Sequence, residues 1–273
     1  MKFEKYHGLG NDFIIVEKKE IGKELKYSEL AKNICNRKTG IGADGLIIAS
    51  KDKDSDYDYE MIFYNADGTF DTMCGNGFRC FCLYLKNNNL ISKDELKIKT
   101  GAGILKAKIV SDNPFMVKVN MGRESYYHET IKFNPQEELF NKKILIEDEE
   151  FFITGLFMGT THTVTFVEDI SNEFVDKYGP LINELEFFPI DTSVNFCKIE
   201  DGKLKIKTWE RGVGRTLACG TGSCSSAIVA KRLGLMEDHV VVEHLLGELE
   251  IELGENVYMI GTGVQIATGD FKN

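Results

Sequence analysis

Cys74-Gly75-Asn76-Gly77 and Cys219-Gly220-Thr221-Gly222 are one four-residue element written twice, 145 positions apart in a chain of 273 residues. The flanks match as well. A β-rich run ends near Asn65, passes Gly68 and reaches Cys74 nine positions on; another ends near Glu210, passes Gly212 and Gly214 and reaches Cys219 after the same nine. A helical pattern follows each element, and Thr100-Gly101 and Leu246-Gly247 then introduce a new strand at nearly equal distance from their cysteine. Matched surroundings on both sides make duplication the better account of the repeat. Two similar domains of mixed α/β (α+β) class follow, each offering one cysteine at a cleft.

Periodicity supports a strand-dominated chain. Alternating or β-rich runs occur at Asp12–Val16, Leu46–Ala49, Tyr59–Tyr64, Leu96–Thr100, Ile104–Val110, Phe115–Asn120, Phe151–Leu156, Thr163–Val167, Leu204–Trp209 and Glu248–Leu253. Helical spacing marks Ser28–Arg37, Phe78–Asn87, Ser171–Leu185 and Ser223–Arg232, with Ser28 and Ser171 as candidate capping hydroxyls ahead of Glu29 and Glu173. Four prolines and no low-complexity tract leave no sign of a long flexible linker.

The formal charge of −10 disfavours nucleic acid and anionic membrane as partners, since both reward clustered Lys and Arg. The acidic run at Asp52, Asp54, Asp56 and Asp58 reads as a solvated loop, because no EF-hand Gly and Glu follow at the required offsets. Met1–Val16 carries charges throughout, so no secretory signal is read there, and the expected location is the cytoplasm. The seven cysteines are then expected to be mostly reduced, and their odd number argues against a complete disulfide framework. Their spacings, C-x5-C-x-C at 74–82 and C-x4-C at 219–224, lack the C-x-x-C or paired histidines of a structural zinc site, so no metal is expected.

A thiol at a helix entrance sits beside free backbone N–H groups and the positive end of the helix dipole. Glycines let those amides wrap an anion, so a substrate carboxylate can bind there without an arginine. The same surroundings are expected to lower the thiol pKa toward neutrality. Two such elements facing one another would place a bound carboxylate's α-carbon between two sulfurs. One sulfur, as thiolate, removes the α-proton; the amides stabilise the enediolate-like charge; the other, as thiol, returns a proton to the opposite face. Cys80, Cys82 and Cys224 on the following helices fit ordinary packing, and Cys35 and Cys197 carry no motif.

These residues resemble the diaminopimelate epimerase family from end to end. The resemblance is carried by His7-Gly8-Leu9-Gly10-Asn11-Asp12-Phe13, Gly40-Ile41-Gly42-Ala43-Asp44-Gly45, Asn65-Ala66-Asp67-Gly68, Glu210-Arg211-Gly212 and the two cysteine elements. It implies two pseudo-symmetric domains, each a β-barrel-like sheet around a central helix, with the active site in the cleft. Boundaries expected on that basis are 1–122, with 263–273 returning to it, and 123–262. The resemblance also implies a homodimer acting on a small-molecule amino-acid substrate, with neither pyridoxal phosphate nor another cofactor. Carried over by position, Cys74 and Cys219 resemble the acid/base pair, and His162 and Glu210 the polar groups that tune them. Gly75, Asn76, Gly220 and Thr221 resemble the carboxylate cradle; Asn11, Asn65 and Arg211 resemble groups that hold the far end of the substrate.

Departures from the family pattern fall on that far end. Gly159-Thr160-Thr161-His162 stands where the family has Gly-Asn-Pro-His, and Ser193, with Asn195 nearby, stands where a second asparagine is usual. Hydroxyls in place of amides remove partners that a second zwitterionic centre needs, and an unpaired charge in a closed site costs several kcal/mol, on the order of. Diaminopimelate therefore competes with another amino acid, histidine foremost, since relatives of the family racemise it. A non-catalytic amino-acid-binding protein of the same fold is the alternative from another class, although binding alone needs no thiols. A phenazine-biosynthesis type of isomerase is disfavoured because such relatives do not keep the cysteine pair.

Overall fold

The computed structural model describes residues 1–22, 25–52, 55–133 and 137–272. They form a mixed α+β chain of many strands and four α-helices. Contacts divide the chain into two compact units, Met1–Val119 with Gly261–Asn273, and Asn120–Ile260.

In the first unit, Lys2–Gly8 pairs antiparallel with Asn11–Glu17. The chain crosses through α1 (Tyr27–Ile34) to Gly45–Ser50, which runs parallel to Asn11–Glu17. Tyr59–Asn65 turns back antiparallel, a two-residue strand at Phe70–Asp71 caps it, and α2 (Gly75–Asn87) follows. Glu95–Thr100 then lies parallel to Tyr59–Asn65, and Gly103–Asp112 pairs antiparallel with it. The last strand, Val264–Asp270, closes on Lys2–Gly8.

The second unit repeats this path. Glu149–Phe157 pairs antiparallel with Thr161–Phe166, and α3 (Asn172–Asn183) crosses to the parallel strand Ser193–Glu200. Lys203–Glu210 returns antiparallel, Gly214–Thr216 caps it, and α4 (Gly220–Arg232) follows. His239–His244 lies parallel to Lys203–Glu210, with Gly247–Leu253 antiparallel beyond it. The duplication read from two tetrapeptides thus extends to strand direction and order within each unit.

Both cysteine helices are 13 residues long and buried over most of their length. An apolar stripe on one side would make a surface helix; Phe78, Cys80, Phe81, Cys82, Leu83 and Leu85 instead surround α2, and such a helix belongs inside a sheet. Small residues do the same for α4, where Ser223, Cys224, Ser225, Ser226 and Ala227 are all buried. The peripheral helices are amphipathic: Leu30, Ala31 and Ile34 of α1 and Val175, Tyr178 and Ile182 of α3 face separate apolar clusters.

All the strands and helices read from periodicity form, with ends shifted by a few residues. One cap is corrected. Ser171 does cap α3, accepting from the Phe174 N–H, but α1 starts at Tyr27 behind Lys26, with no side-chain cap, so Ser28 is already inside the helix. Of the acidic run, Asp52, Asp56 and Asp58 lie in irregular chain, while Asp54 falls outside the described residues. No helix is long and apolar enough to cross a membrane among the described residues, and none of them form a metal-ligating cluster.

Candidate active site

Each cysteine is the N-cap of its helix, in nearly the same backbone conformation: φ −134°, ψ 117° for Cys74 and φ −126°, ψ 114° for Cys219. The extended N-cap aims the following amides forward and leaves them without intrahelical partners, the arrangement that accepts an anion. Gly75, Asn76, Gly220 and Thr221 supply those amides, as their positions in the repeat require.

Around Cys74 the partners are amides. Asn11 Oδ1 lies 3.7 Å from Cys74 Sγ and also accepts from Asn76 Nδ2 at 3.3 Å. Asn11 is oriented by Asp44, whose Oδ2 accepts from Asn11 Nδ2 at 2.7 Å. Asp44 is in turn bridged to Asp12 by Arg37, which bonds both Asp12 oxygens (2.7 and 3.1 Å) and Asp44 Oδ1 (2.7 Å). Burial alone would raise the Asp12 carboxyl, but hydrogen bonds from Arg37 and Lys5 outweigh it and bring it down to about 2. Asn65 stands apart from this set: its Nδ2 donates to Thr69 Oγ1 at 3.2 Å, within the turn that follows its strand.

Around Cys219 the partners are acidic and hydroxylic. Its Sγ accepts from the Gly222 N–H at 3.4 Å, lies 3.5 Å from Thr221 Oγ1, and shares a hydrogen bond with the Glu210 carboxyl. Thr216 Oγ1 donates to Glu210 Oε1 at 2.7 Å. The expected lowering of the thiol is reversed here: burial first, then the Glu210 charge, push Cys219 well above its ordinary value, against the Thr221 and Gly222 donors. Glu210 is raised by burial as well, partly offset by Thr216 and Cys219. Cys219 therefore rests as a thiol, the form that delivers a proton. Desolvation of a side chain only 7% exposed outweighs the helix end, whose field is worth about 1 kcal/mol.

His162 is fully buried and reaches the sulfur through Thr221, its Nε2 lying 3.0 Å from Thr221 Oγ1. Burial, then the positive Arg211, lower its pKa to about 3, so it is neutral. Asn195, read from sequence beside Ser193 as a substrate contact, is corrected. It is fully buried; its Nδ2 donates to His162 Nδ1 and to Thr163 O, both at 3.1 Å, and its Oδ1 accepts from Thr208 Oγ1 at 3.0 Å. Both Nδ2 protons are taken up within the protein.

A second cluster gathers the residues where the chain departs from the family pattern. Arg211 Nη2 is 3.4 Å from Thr160 Oγ1, its Nη1 donates to Ile190 O at 3.2 Å, and its backbone N–H donates to Ser193 Oγ at 3.2 Å. The other five cysteines are buried and not joined in disulfides, and burial raises Cys35, Cys80 and Cys197 to about 12, in keeping with packing roles.

Gly222 is where packing and site meet. A Cβ there would stand 2.3 Å from Asn195 Oδ1. Gly222→Ala should therefore cost about 1–3 kcal/mol through overpacking and push the Asn195 amide off His162. The check is a urea unfolding midpoint; an unchanged midpoint would mean that the helix slides without resistance.

Asp44, Arg37, Arg79, Thr163, Thr208 and Thr216 complete these clusters, and the sequence alone assigns none of them a role in the site. For Arg79 the readable signal is an arginine set among Phe78, Cys80, Phe81 and Cys82. The threonines offered none, since a hydroxyl on a strand is ordinary.

The profile of the diaminopimelate epimerase family matches residues 3–127 and 155–268. The diaminopimelate epimerase of Clostridium perfringens (strain 13 / Type A) is 40% identical over 278 residues, spanning 99% of this chain and 99% of that protein. That of Halothermothrix orenii is 41% identical over 276 residues, spanning 98% and 97%. Among solved structures, a probable proline racemase from Agrobacterium radiobacter K84 superposes with a TM-score of 0.72 at 16% identity, covering 99% of this chain and 92% of that one. A PhzF-family phenazine biosynthesis protein of Bacillus anthracis gives 0.71, also at 16%, covering 100% and 99%. At that identity the two structures speak for the fold. A profile matched across both halves and relatives near 40% identical from end to end go further: the chain belongs to the diaminopimelate epimerase family.

Proposed function

We propose that this chain inverts the α-carbon of an amino acid by passing protons between Cys74 and Cys219, without a cofactor. The observation that carries the proposal is the pair of matched helices, each capped by a cysteine in the same extended conformation and each beginning with a Gly-x-Gly first turn. A carboxylate on the first-turn amides would have its α-carbon beside sulfur, and the amides would stabilise charge as the α-proton leaves. Cys219, held as a thiol, is the donor in one direction; Cys74 takes the proton from the other face. In the reverse direction the roles exchange.

The substrate is proposed to be LL- or meso-diaminopimelate, by the family and the relatives named above. A second reading, another amino acid such as histidine, is favoured by one feature. The Arg211 guanidinium rests on the Thr160 hydroxyl and the Ile190 carbonyl, and Ser193 is occupied by a backbone N–H. Short hydroxyls there offer a distal ammonium fewer acceptors than amides would.

The test is exchange. Purified protein in deuterated buffer, with no added cofactor, should place deuterium at the α-carbon of its substrate and yield the inverted isomer on chiral chromatography. LL-diaminopimelate, L-histidine and a panel of L-amino acids distinguish the two substrate readings by turnover. Tight binding without exchange of any α-proton would make the chain a binding protein instead.

A further inference from the structure

We propose that Asn195 is a positioning residue that holds His162 in its Nε2–H tautomer and thereby turns the Thr221 hydroxyl into a donor aimed at the Cys219 sulfur. The inference rests on the reading of Cys219 as a reacting thiol, and adds to it a residue and a direction.

The direction follows from donor and acceptor counts. A carbonyl only accepts, so Asn195 Nδ2, 3.1 Å from Thr163 O, is correctly placed as nitrogen, and the Thr208 hydroxyl on Oδ1 agrees. The second Nδ2 proton then points at His162 Nδ1. That ring nitrogen must accept, so the neutral imidazole carries its proton on Nε2, 3.0 Å from Thr221 Oγ1. Thr221 accepts from the ring and has one proton left, with Cys219 Sγ at 3.5 Å. The chain of bonds has one polarity.

The duplicated fold supplies an independent observation. Strand registers pair Phe13 with Gly45, and Gly45 with Asn65. In the second unit they pair His162 with Ser193, and Asn195 with Thr208. With Asn65 matched to Glu210, His162 stands where Phe13 stands, Asn195 where Ile47 stands, and Thr208 where Phe63 stands. Beneath Gly77 of α2 the first unit places Ile47 and Phe13, and Phe13 packs edge-on against Phe63 with ring centroids 5.9 Å apart. The fold therefore accepts an apolar trio at these positions. Polar groups in the second unit need full hydrogen bonding to be tolerated, and architecture does not demand them.

The ionisable groups around Cys219 are Glu210 at the end of its strand, His162 behind Thr221, Arg211 beyond His162, and His244, whose Nε2 lies 2.8 Å from the Ser223 hydroxyl that bonds Cys219 O. Glu210 opposes the thiolate, while the Thr221 donor favours it.

Three measurements on the full-length protein test the proposal. In ¹⁵N-histidine spectra, wild-type His162 should be neutral with the proton on Nε2; a proton on Nδ1 overturns it. Asn195→Asp supplies an acceptor and should move a proton onto Nδ1, whereas an unprotonated Nδ1 in the folded variant overturns it. Iodoacetamide alkylation of Cys219, followed by mass spectrometry across pH with Cys74 as reference, should shift upward in Thr221→Val. The Cys219 rate should fall about tenfold at a fixed pH below the midpoint, from loss of one hydrogen bond to a charged group. Thr221→Ser should restore the wild-type profile. An unmoved profile in Thr221→Val overturns the proposal even if Asn195→Asp fails to fold. None of these readouts needs turnover, so absence of α-proton exchange would count against the function and leave the tautomer claim to be decided separately.

Discussion

Cys74→Ser and Cys219→Ser are each expected to lower inversion by about 10²–10⁴-fold, the range set by removing one positioned acid or base from a proton transfer. Serine keeps the shape of cysteine but not its acidity, so each variant retains a side chain that can donate weakly and cannot serve as base near neutrality. The two should fail alike in the full reaction, because every inversion needs one removal and one return. They should differ in partial reactions: whichever cysteine remains can still remove the α-proton from the face it meets. Wash-in of deuterium from one enantiomer without inversion is the measurement that separates them. Stability should change little. Cys74 is half-buried and neither cap is the helix's sole hydrogen-bonding resource, so circular dichroism and unfolding midpoints should stay close to wild type. Near-full inversion in either variant would remove the two-base mechanism.

The fold was legible where residues obeyed one period and one environment. Strands such as Tyr59–Asn65 and Lys203–Glu210 alternate buried with half-buried positions, and alternation is visible in sequence. Ser193–Glu200 was not read, since its buried half includes Ser193 and Asn195, polar residues that interrupt an apolar run. The cysteine pair was legible because duplication repeats its flanks. The electrostatics around each cysteine were not, because helix-end chemistry is the same for both copies while burial is a tertiary property. Cys219 shows the difference: its motif argues for a lowered pKa, and its carboxyl neighbour and enclosure raise it. Asn195 shows another. It lies two residues after Ser193, on the same side of the strand, but its amide sits beneath α4 and is spent on His162 Nδ1, Thr163 O and Thr208 Oγ1, bonds that only the tertiary fold reveals.

Arg79→Met should be the most damaging single change to stability in the first unit. Arg79 is fully buried; its Nε donates to Thr262 O at 3.1 Å, its Nη2 to Asn76 Oδ1 at 2.8 Å, and its Nη1 lies 3.2 Å from Gly75 O. Methionine fills comparable space and removes a buried charge, which is favourable. It also takes this donor from the part-buried Thr262 carbonyl and the buried Asn76 amide oxygen, at about 1–3 kcal/mol each. The lost charge-assisted bonds outweigh the relief, and a loss of about 2–5 kcal/mol follows. Arg79→Lys should recover little of it, because one ammonium cannot span acceptors that a planar fork reaches together. The damage should be local in a telling way. Thr262 leads into Val264–Asp270, the strand that closes on Lys2–Gly8, and Asn76 is the first-turn residue bonded to Asn11 beside Cys74. Amide hydrogen exchange should therefore accelerate in Val264–Asp270 and in the first turn of α2 before the rest of the unit. Uniform acceleration would mean that Arg79 acts as general core packing, and unchanged exchange in both segments would mean that it does not join them at all.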